Sequence, residues 1–356
     1  MPEPLNLGIL GAGGIVALSH LPELAEVDGW RVTHICGLEE ERLQLLCERF
    51  SVPRYSLTWE ELLADDALDA ILVAVPHPLH AKAGLAVLEQ GKHLFMQKPL
   101  CATLEEADRL VAAAEARPGL CVYCRPSFDA EVYEMRRRIA AGAVGQVTSA
   151  AARASHGGPE VYYAEVADFF GEPRRTDDLW FFDATKASVG ALFDMGVYAV
   201  AQLVAVLGRV VRVTARLATV AKPTQLEDTA VVIMEFENGA LATAETSWCD
   251  PARTSFTRIH GAAGKLLNPG AGSSSLDWVR PSSYDRERDE PVTEHLAVPP
   301  FPNQHAEWLQ HIRQGTQPQL SNIWTARHVT EVLLAALESS RSERPVTLQS
   351  APRLGE

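Results

Sequence analysis

Over its first 125 residues the chain alternates short β-prone runs with stretches of helical period, and this alternation constrains the fold more than any single residue does. The runs are LNLGIL (5–10), RVTHICGL (31–38), DAILVAV (69–75), HLFMQ (93–97) and LCVYC (120–124). Between them lie GGIVALSHLPELAEV, EEERLQLLCERF, PLHAKAGLAVLEQG and TLEEADRLVAAAEA, with apolar residues three and four apart. The last of these opens on Thr103 and Glu106, the spacing of a capping box. Strands and helices in strict alternation build a parallel, doubly wound α/β sheet, since each crossover helix covers one sheet face.

Past residue 125 the pattern changes to longer alternating runs: GQVTSAAARAS, VVRVTARLATV, DTAVVIMEFENGALATAETSW and TSFTRIHGAAGKLL. Asn238-Gly239 sits between two of them and signals a hairpin. The chain therefore divides at 125. Residues 126–356 form an α+β domain with a large, mostly antiparallel open sheet, entered through helices near 126–142 and 189–207. Two amphipathic stretches, NQHAEWLQHIRQG and NIWTARHVTEVLLAALESSRS, follow and are candidates to pack back on the first domain. RPSSYDRERDEPVTE (280–294) reads as an exposed loop, and HGGPEVYY from 156 and DDLWFF from 177 read as irregular binding loops.

With 356 residues and a formal charge of -14, and no cluster of Lys or Arg, the chain lacks the attraction that nucleic acid or an anionic membrane surface requires. The apolar run VGALFDMGVYAVAQLVAVLG (189–208) is long enough to span a bilayer. Asp194 near its middle argues for a buried helix instead. MPEP leads directly into the first strand without a basic and apolar leader, so the expected location is the cytoplasm. Cys121 and Cys124 form a lone CxxC on a strand, where positions three apart face opposite ways; no redox or metal site is expected.

The first strand ends in GAGGIV. Gly11 permits a tight turn, Gly13 lets backbone approach a ligand, and Gly14 and Ile15 open a helix whose free N–H groups suit a pyrophosphate. This points to a dinucleotide, NAD or NADP. The tip of the second strand, which reads the adenosine ribose, carries Gly37 and Leu38 rather than an acid or an arginine. Glu39, Glu40 and Glu41 oppose a 2′-phosphate while Arg42 would attract it, and the balance tips slightly to NAD.

HLFMQKPL places Lys98 at the carboxyl end of a sheet strand, the edge where such folds bind ligands. Pro99 biases it to an extended conformation, so the side chain leaves the strand in a set direction. Asp194 and Tyr198, four apart in a helical segment, share a face, and a buried Asp calls for a cationic partner.

Taken together, GAGGIV, AVPHPLH, GKHLFMQKPL, IAAGAVGQV and GALFDMGVY, in this order and spacing, resemble the Gfo/Idh/MocA oxidoreductases over essentially the whole chain. The resemblance implies a Rossmann domain followed by an α/β domain whose open sheet commonly joins subunits into homodimers or homotetramers. It implies that Lys98 touches both nicotinamide ribose and substrate, with Asp194 and Tyr198 as its substrate-side partners. Tyr198 stands at the last position of the family's D-x-G-x-[HY]. Gln97 replaces the usual Glu of E-K-P, which removes a charge beside the nicotinamide. Ala74, Pro76, His77 and His80 correspond to the loop along the cofactor, and Arg125 to a position near the nicotinamide.

The expected chemistry is hydride transfer between NAD(P) and a hydroxyl-bearing carbon of a sugar, polyol or cyclic diol. A tyrosine phenol ordinarily titrates near pH 10, so Tyr198 needs the Lys98 cation to act as a base. His156 and Trp180 are candidate substrate contacts. An NAD-dependent glycosidase and a sugar-responsive regulator of the same fold are the alternatives.

Overall fold

The computed structural model describes residues 3–175, 179–187, 190–268, 270, 275–281, 291–298 and 303–355. Six strands, β1 (Leu5–Leu10), β2 (Trp30–Cys36), β3 (Tyr55–Ser56), β4 (Ala70–Val73), β5 (His93–Met96) and β6 (Val122–Cys124), form one parallel sheet in the order β3-β2-β1-β4-β5-β6. Helices α1 (Leu21–Ala25), α2 (Glu40–Phe50), α3 (Trp59–Leu63), α4 (His80–Glu89) and α5 (Leu104–Glu115) connect them. The strands are apolar on both faces because helices cover both. Along β5, Leu94 and Met96 join one core cluster and Phe95 the other. Cys121 and Cys124 divide between the same two clusters, and burial pushes both thiols up. The two-residue β3 escaped the sequence reading because it is too short to show a period.

The second sheet contains nine described strands: β7 (Val147–Ser155), β8 (Val210–Ala218), β9 (Thr229–Phe236), β10 (Leu241–Ser247), β11 (Ser255–Gly261), β12 (Gly264–Asn268), β13 (Ser275–Pro281), β14 (Pro291–Ala297) and β15 (Val346–Thr347). They are ordered β14-β13-β12-β11-β7-β10-β9-β8-β15, and β7 with β10 is the parallel pair among otherwise antiparallel neighbours. Gly239 turns β9 into β10 with φ +86°, as the Asn-Gly signal requires. Helices α6 (Ala130–Ala140), α8 (Val197–Leu207) and α10 (Ile323–Ser342) share one core with the sheet, while Val231, Ile233 and Leu241 are exposed.

Three segments depart from expectation. The stretch after His156 is a helix, α7 (Pro159–Phe170), with Pro159 in its first turn and Gly171 left-handed at its end. Its Tyr162, Val166, Phe169 and Phe170 pack toward the glycine turn and α2. The expected loop at 280–294 is narrower, since β13 runs to Pro281 and β14 begins at Pro291; 282–290 lie outside the described residues. Asp177 and Asp178 also lie outside them, and Trp180–Phe182 form a single tight helical turn. The long apolar run folds as a π-helical turn, Leu192–Gly196, leading into buried α8, and no described helix is long and apolar enough to cross a membrane.

Helices α9 (Gln304–Gln314) and α10 return to the first sheet. Trp308 lies 4.7 Å from Trp30 between ring centroids, and Ile323 joins the cluster of Leu94 and Met96. Arg327 of α10 pairs with Asp108 of α5 at 2.9 Å, while Ser339 further along accepts from the Ala215 N–H of β8 at 3.1 Å.

Candidate active site

At the end of β1, Gly11 has φ +122°, and a side chain there would collide with the Ala74 carbonyl oxygen. The helix opens at Gly14, and no atom lies within 4 Å of where a Gly13 Cβ would stand. First-turn N–H groups have no intrahelical acceptors, so those of Gly14 and Ile15, with the open space at Gly13, suit a pyrophosphate. Gly37 packs tightly on Ala12, and Leu38 is 90% exposed beside it. Arg42 is already engaged: its Nε and Nη2 each donate at 2.5 Å to Glu172, just past α7, and its guanidinium lies 4.8 Å from the Phe170 ring centre.

Lys98 leaves the edge of β5 two residues beyond its last strand residue. Its ammonium donates to Asp194 Oδ1 at 2.8 Å and to the Asp194 carbonyl oxygen, and it stands 5.0 Å from the centre of the Tyr198 ring. The π-helical turn still presents Asp194 and Tyr198 to the same cation, as their spacing suggested. Lys98 therefore rides over the phenol ring. Asp194 Oδ2 accepts from Trp248 Nε1 at 2.9 Å and lies 3.5 Å from His156 Nε2. His156 Nδ1 accepts the Gly158 N–H at 2.8 Å, which leaves the ring proton on Nε2, facing the carboxylate. Burial alone would raise the Asp194 carboxyl, but the Lys98 ammonium and His156 hold it far below the carboxylate range. Burial likewise works against the Lys98 ammonium, and Asp194 and Tyr198 together outweigh it, so its pKa is raised.

Behind Lys98 runs a buried polar chain. The Lys98 N–H donates to Gln97 Oε1 at 2.9 Å, and Gln97 Nε2 donates to His20 Nε2 at 2.9 Å. His20 must then carry its proton on Nδ1 and donate it to His305 Nε2 at 3.0 Å. Burial keeps both rings neutral, lowering His305 to about 3. Gln97 thus spends both ends of its amide on protein partners.

On the opposite side, the His80 ring lies between the Val75 carbonyl (2.9 Å) and the Pro99 carbonyl (2.6 Å) and, kept neutral by burial, donates to one of them, between the loop after β4 and the turn that carries Lys98. Its neighbour His77, next to Pro76, is buried with Nδ1 unpartnered and its pKa lowered to about 3, chiefly by that burial. The His77 ring meets Trp180 edge-on at 5.8 Å, and Trp180 Nε1 donates to the Tyr163 hydroxyl at 2.5 Å. Arg125 follows β6, next to the Lys98 turn.

Trp248, His20, His305 and Glu172 joined this region unforeseen. Each reaches it from an element distant in the chain, and none sits in a local pattern that marks it.

Two family models cover most of the molecule: an oxidoreductase family model with an NAD-binding Rossmann fold over residues 5–123, and a GFO/IDH/MocA C-terminal domain over residues 132–267. The chain belongs to the Gfo/Idh/MocA oxidoreductase family. It is 28% identical over 269 residues to a D-xylose 1-dehydrogenase (NADP(+)) of Haloferax volcanii, covering 74% of this chain and 76% of that one. An uncharacterised oxidoreductase of Rhizobium meliloti is 26% identical over 202 residues, and the match spans 55% of this chain and 54% of that relative. Among solved structures, levoglucosan dehydrogenase in complex with NADH and levoglucosan superposes with a TM-score of 0.81 at 19% identity, over 98% of this chain and 100% of that one. At that identity the superposition shows the shared fold.

Proposed function

We propose that the protein is an NAD-dependent dehydrogenase that moves a hydride between nicotinamide and a hydroxyl-bearing carbon of a sugar, polyol or cyclic diol. The observation that carries this reading is the Lys98–Asp194–Tyr198 cluster at the carboxyl edge of the parallel sheet, on the side where the glycine turn opens. The relatives named as dehydrogenases of xylose, inositol and dihydrobenzenediol support the substrate class.

Nicotinamide, when bound, takes up or gives the hydride. The chain's residues supply position, field and a proton path. An ammonium has three N–H donors, and Asp194 occupies two of those on Lys98. The third is available to a substrate hydroxyl oxygen, where it stabilises developing alkoxide charge. Tyr198, under the ammonium, exchanges the hydroxyl proton. Asp194 holds Lys98 charged and oriented, and His156 and Trp180 border the substrate side.

The preference for NAD rests on Arg42. Its two-point pairing with Glu172, with Glu39 at 3.3 Å, already engages the guanidinium that a 2′-phosphate would meet. Assembly into a homodimer or homotetramer through the open sheet face fits the exposed Val231, Ile233 and Leu241.

The test is absorbance of reduced nicotinamide with NAD+ or NADP+ and a panel of aldoses, polyols, inositols and cyclic diols. Lys98→Ala should lower kcat at least about 100-fold, the scale of a lost proton-handling and charge-stabilising group. Turnover unchanged in that variant removes Lys98 from the chemistry.

A further inference from the structure

We propose that Arg125 forms a subsite for a carboxylate on the substrate, so that the compound oxidised is a sugar acid or a related hydroxy acid. This inference rests on the dehydrogenase reading above and narrows it.

Arg125 is the first residue beyond β6. Its backbone N–H donates to the Met96 carbonyl at 2.9 Å, which seats it beside the end of β5, two residues before Lys98. The side chain is partly buried, and its Nε and Nη1 are sealed from solvent with no hydrogen-bond partner among the described residues. No described carboxylate forms an ion pair with it. Arginine is seldom left so, because desolvated N–H donors and an uncompensated charge are both costly.

The surroundings offer no compensation. Lys98 is close enough for the two cations to oppose each other. His20 and His305, also near Arg125, are kept neutral by burial. Asp194 is committed to Lys98, Trp248 and His156. Asp129 feels the guanidinium but forms no ion pair with it and stays exposed. At the position before Lys98 the chain has the neutral Gln97. Lys98 and Asp194 cancel, and Arg125 remains as one unbalanced positive charge beside them.

A dinucleotide's phosphates cannot balance it. They belong at the turn after β1, which lies three strands away across the sheet, about 14 Å. The missing anion must arrive with the substrate, and a planar guanidinium fork matches a carboxylate two-for-two. A carboxylate held there would leave a neighbouring carbinol for Lys98 and Tyr198.

The enzyme–NADH complex is titrated calorimetrically with D-gluconate, D-galactonate and D-xylonate, each against its matching alditol, for the wild type, Arg125→Met and Arg125→Lys. Expected is at least one aldonate bound about 30-fold or more tighter than its alditol, a preference lost in Arg125→Met and partly restored in Arg125→Lys, with the NADH Kd within twofold throughout. Equal binding of acids and alditols overturns the subsite. So does an Arg125→Met variant that loses NADH and both probe classes alike, since Arg125 would then hold the cofactor. The two readings separate cleanly: acid-selective binding without turnover of any probe keeps the subsite and sinks the dehydrogenase, whereas turnover of neutral polyols without acid preference does the reverse.

Discussion

Asp194 receives Lys98 on one oxygen and Trp248 and His156 on the other, and with its charge so held and its pKa far below the carboxylate range it is a poor base toward substrate. Its work is to hold the ammonium. Because its folded pKa is depressed, its stabilising contribution is present above the ordinary carboxylate value and lost as pH falls toward the folded one. Lys98, raised, contributes below its ordinary value and loses that contribution only as pH climbs through the folded one. The pair is therefore intact across the neutral range. Asp194→Asn removes the outweighing partner and leaves burial dominant, so the Lys98 pKa should drop below its ordinary value. The alkaline limb of the kcat/KM profile should move to lower pH, and denaturant unfolding should show a loss of about 3 kcal/mol, the scale for halving a buried pair. An unmoved profile would assign proton handling elsewhere. At this scale the sequence is legible where chemistry is local: a four-residue spacing unites Asp194 and Tyr198 beside Lys98. Trp248 was not legible, because its contact with Asp194 exists only once β10 lies beside the π-helical turn.

Among the elements, α7 has the most to decide. Gly158-Pro159 at its start and Gly171 at its end are ordinary start and stop signals. In the sequence HGGPEVYY shows too little helical period for those signals to separate it from an irregular loop. Folded, α7 lies on the glycine turn, where a side chain at Gly14 would strike Val166 and crowd the Tyr162 hydroxyl. Just past its end Glu172 grips Arg42. Glu172→Gln should free the guanidinium and strengthen NADPH binding by about tenfold while NADH binding changes little, read by fluorescence titration. The pair is partly exposed, with side chains 22% and 37% accessible, so the gain should shrink at high salt. Unchanged NADPH affinity would mean that the adenosine end is read by other groups. Elements with strong period, such as α5 with its Thr103–Glu106 capping box and the β9–β10 hairpin, could be read outright.

For the whole molecule, the two sheets differ in what covers them. Helices lie over both faces of the parallel sheet, while β9 and β10 turn Val231, Ile233 and Leu241 outward. Ile233→Asp at the middle of that face should convert the proposed homo-oligomer to monomer, measured by light scattering during size-exclusion chromatography. A mass that does not change would place the interface elsewhere. Neither face could be chosen from the alternation of β9 alone, because Ala230, Val232 and Met234 are as apolar as the residues between them.

Trp308 and Leu309 of α9 fill one core of the parallel sheet, and Ile323 of α10 belongs to the other. Synthesis runs the opposite way. A ribosome releases the nucleotide-binding strands first, yet their two cores stay incomplete until some two hundred further residues have been made. The half that begins first is finished last, which makes a nascent chain stalled before residue 303 a natural client for chaperones and couples possession of a working cofactor cleft to completion of the second sheet.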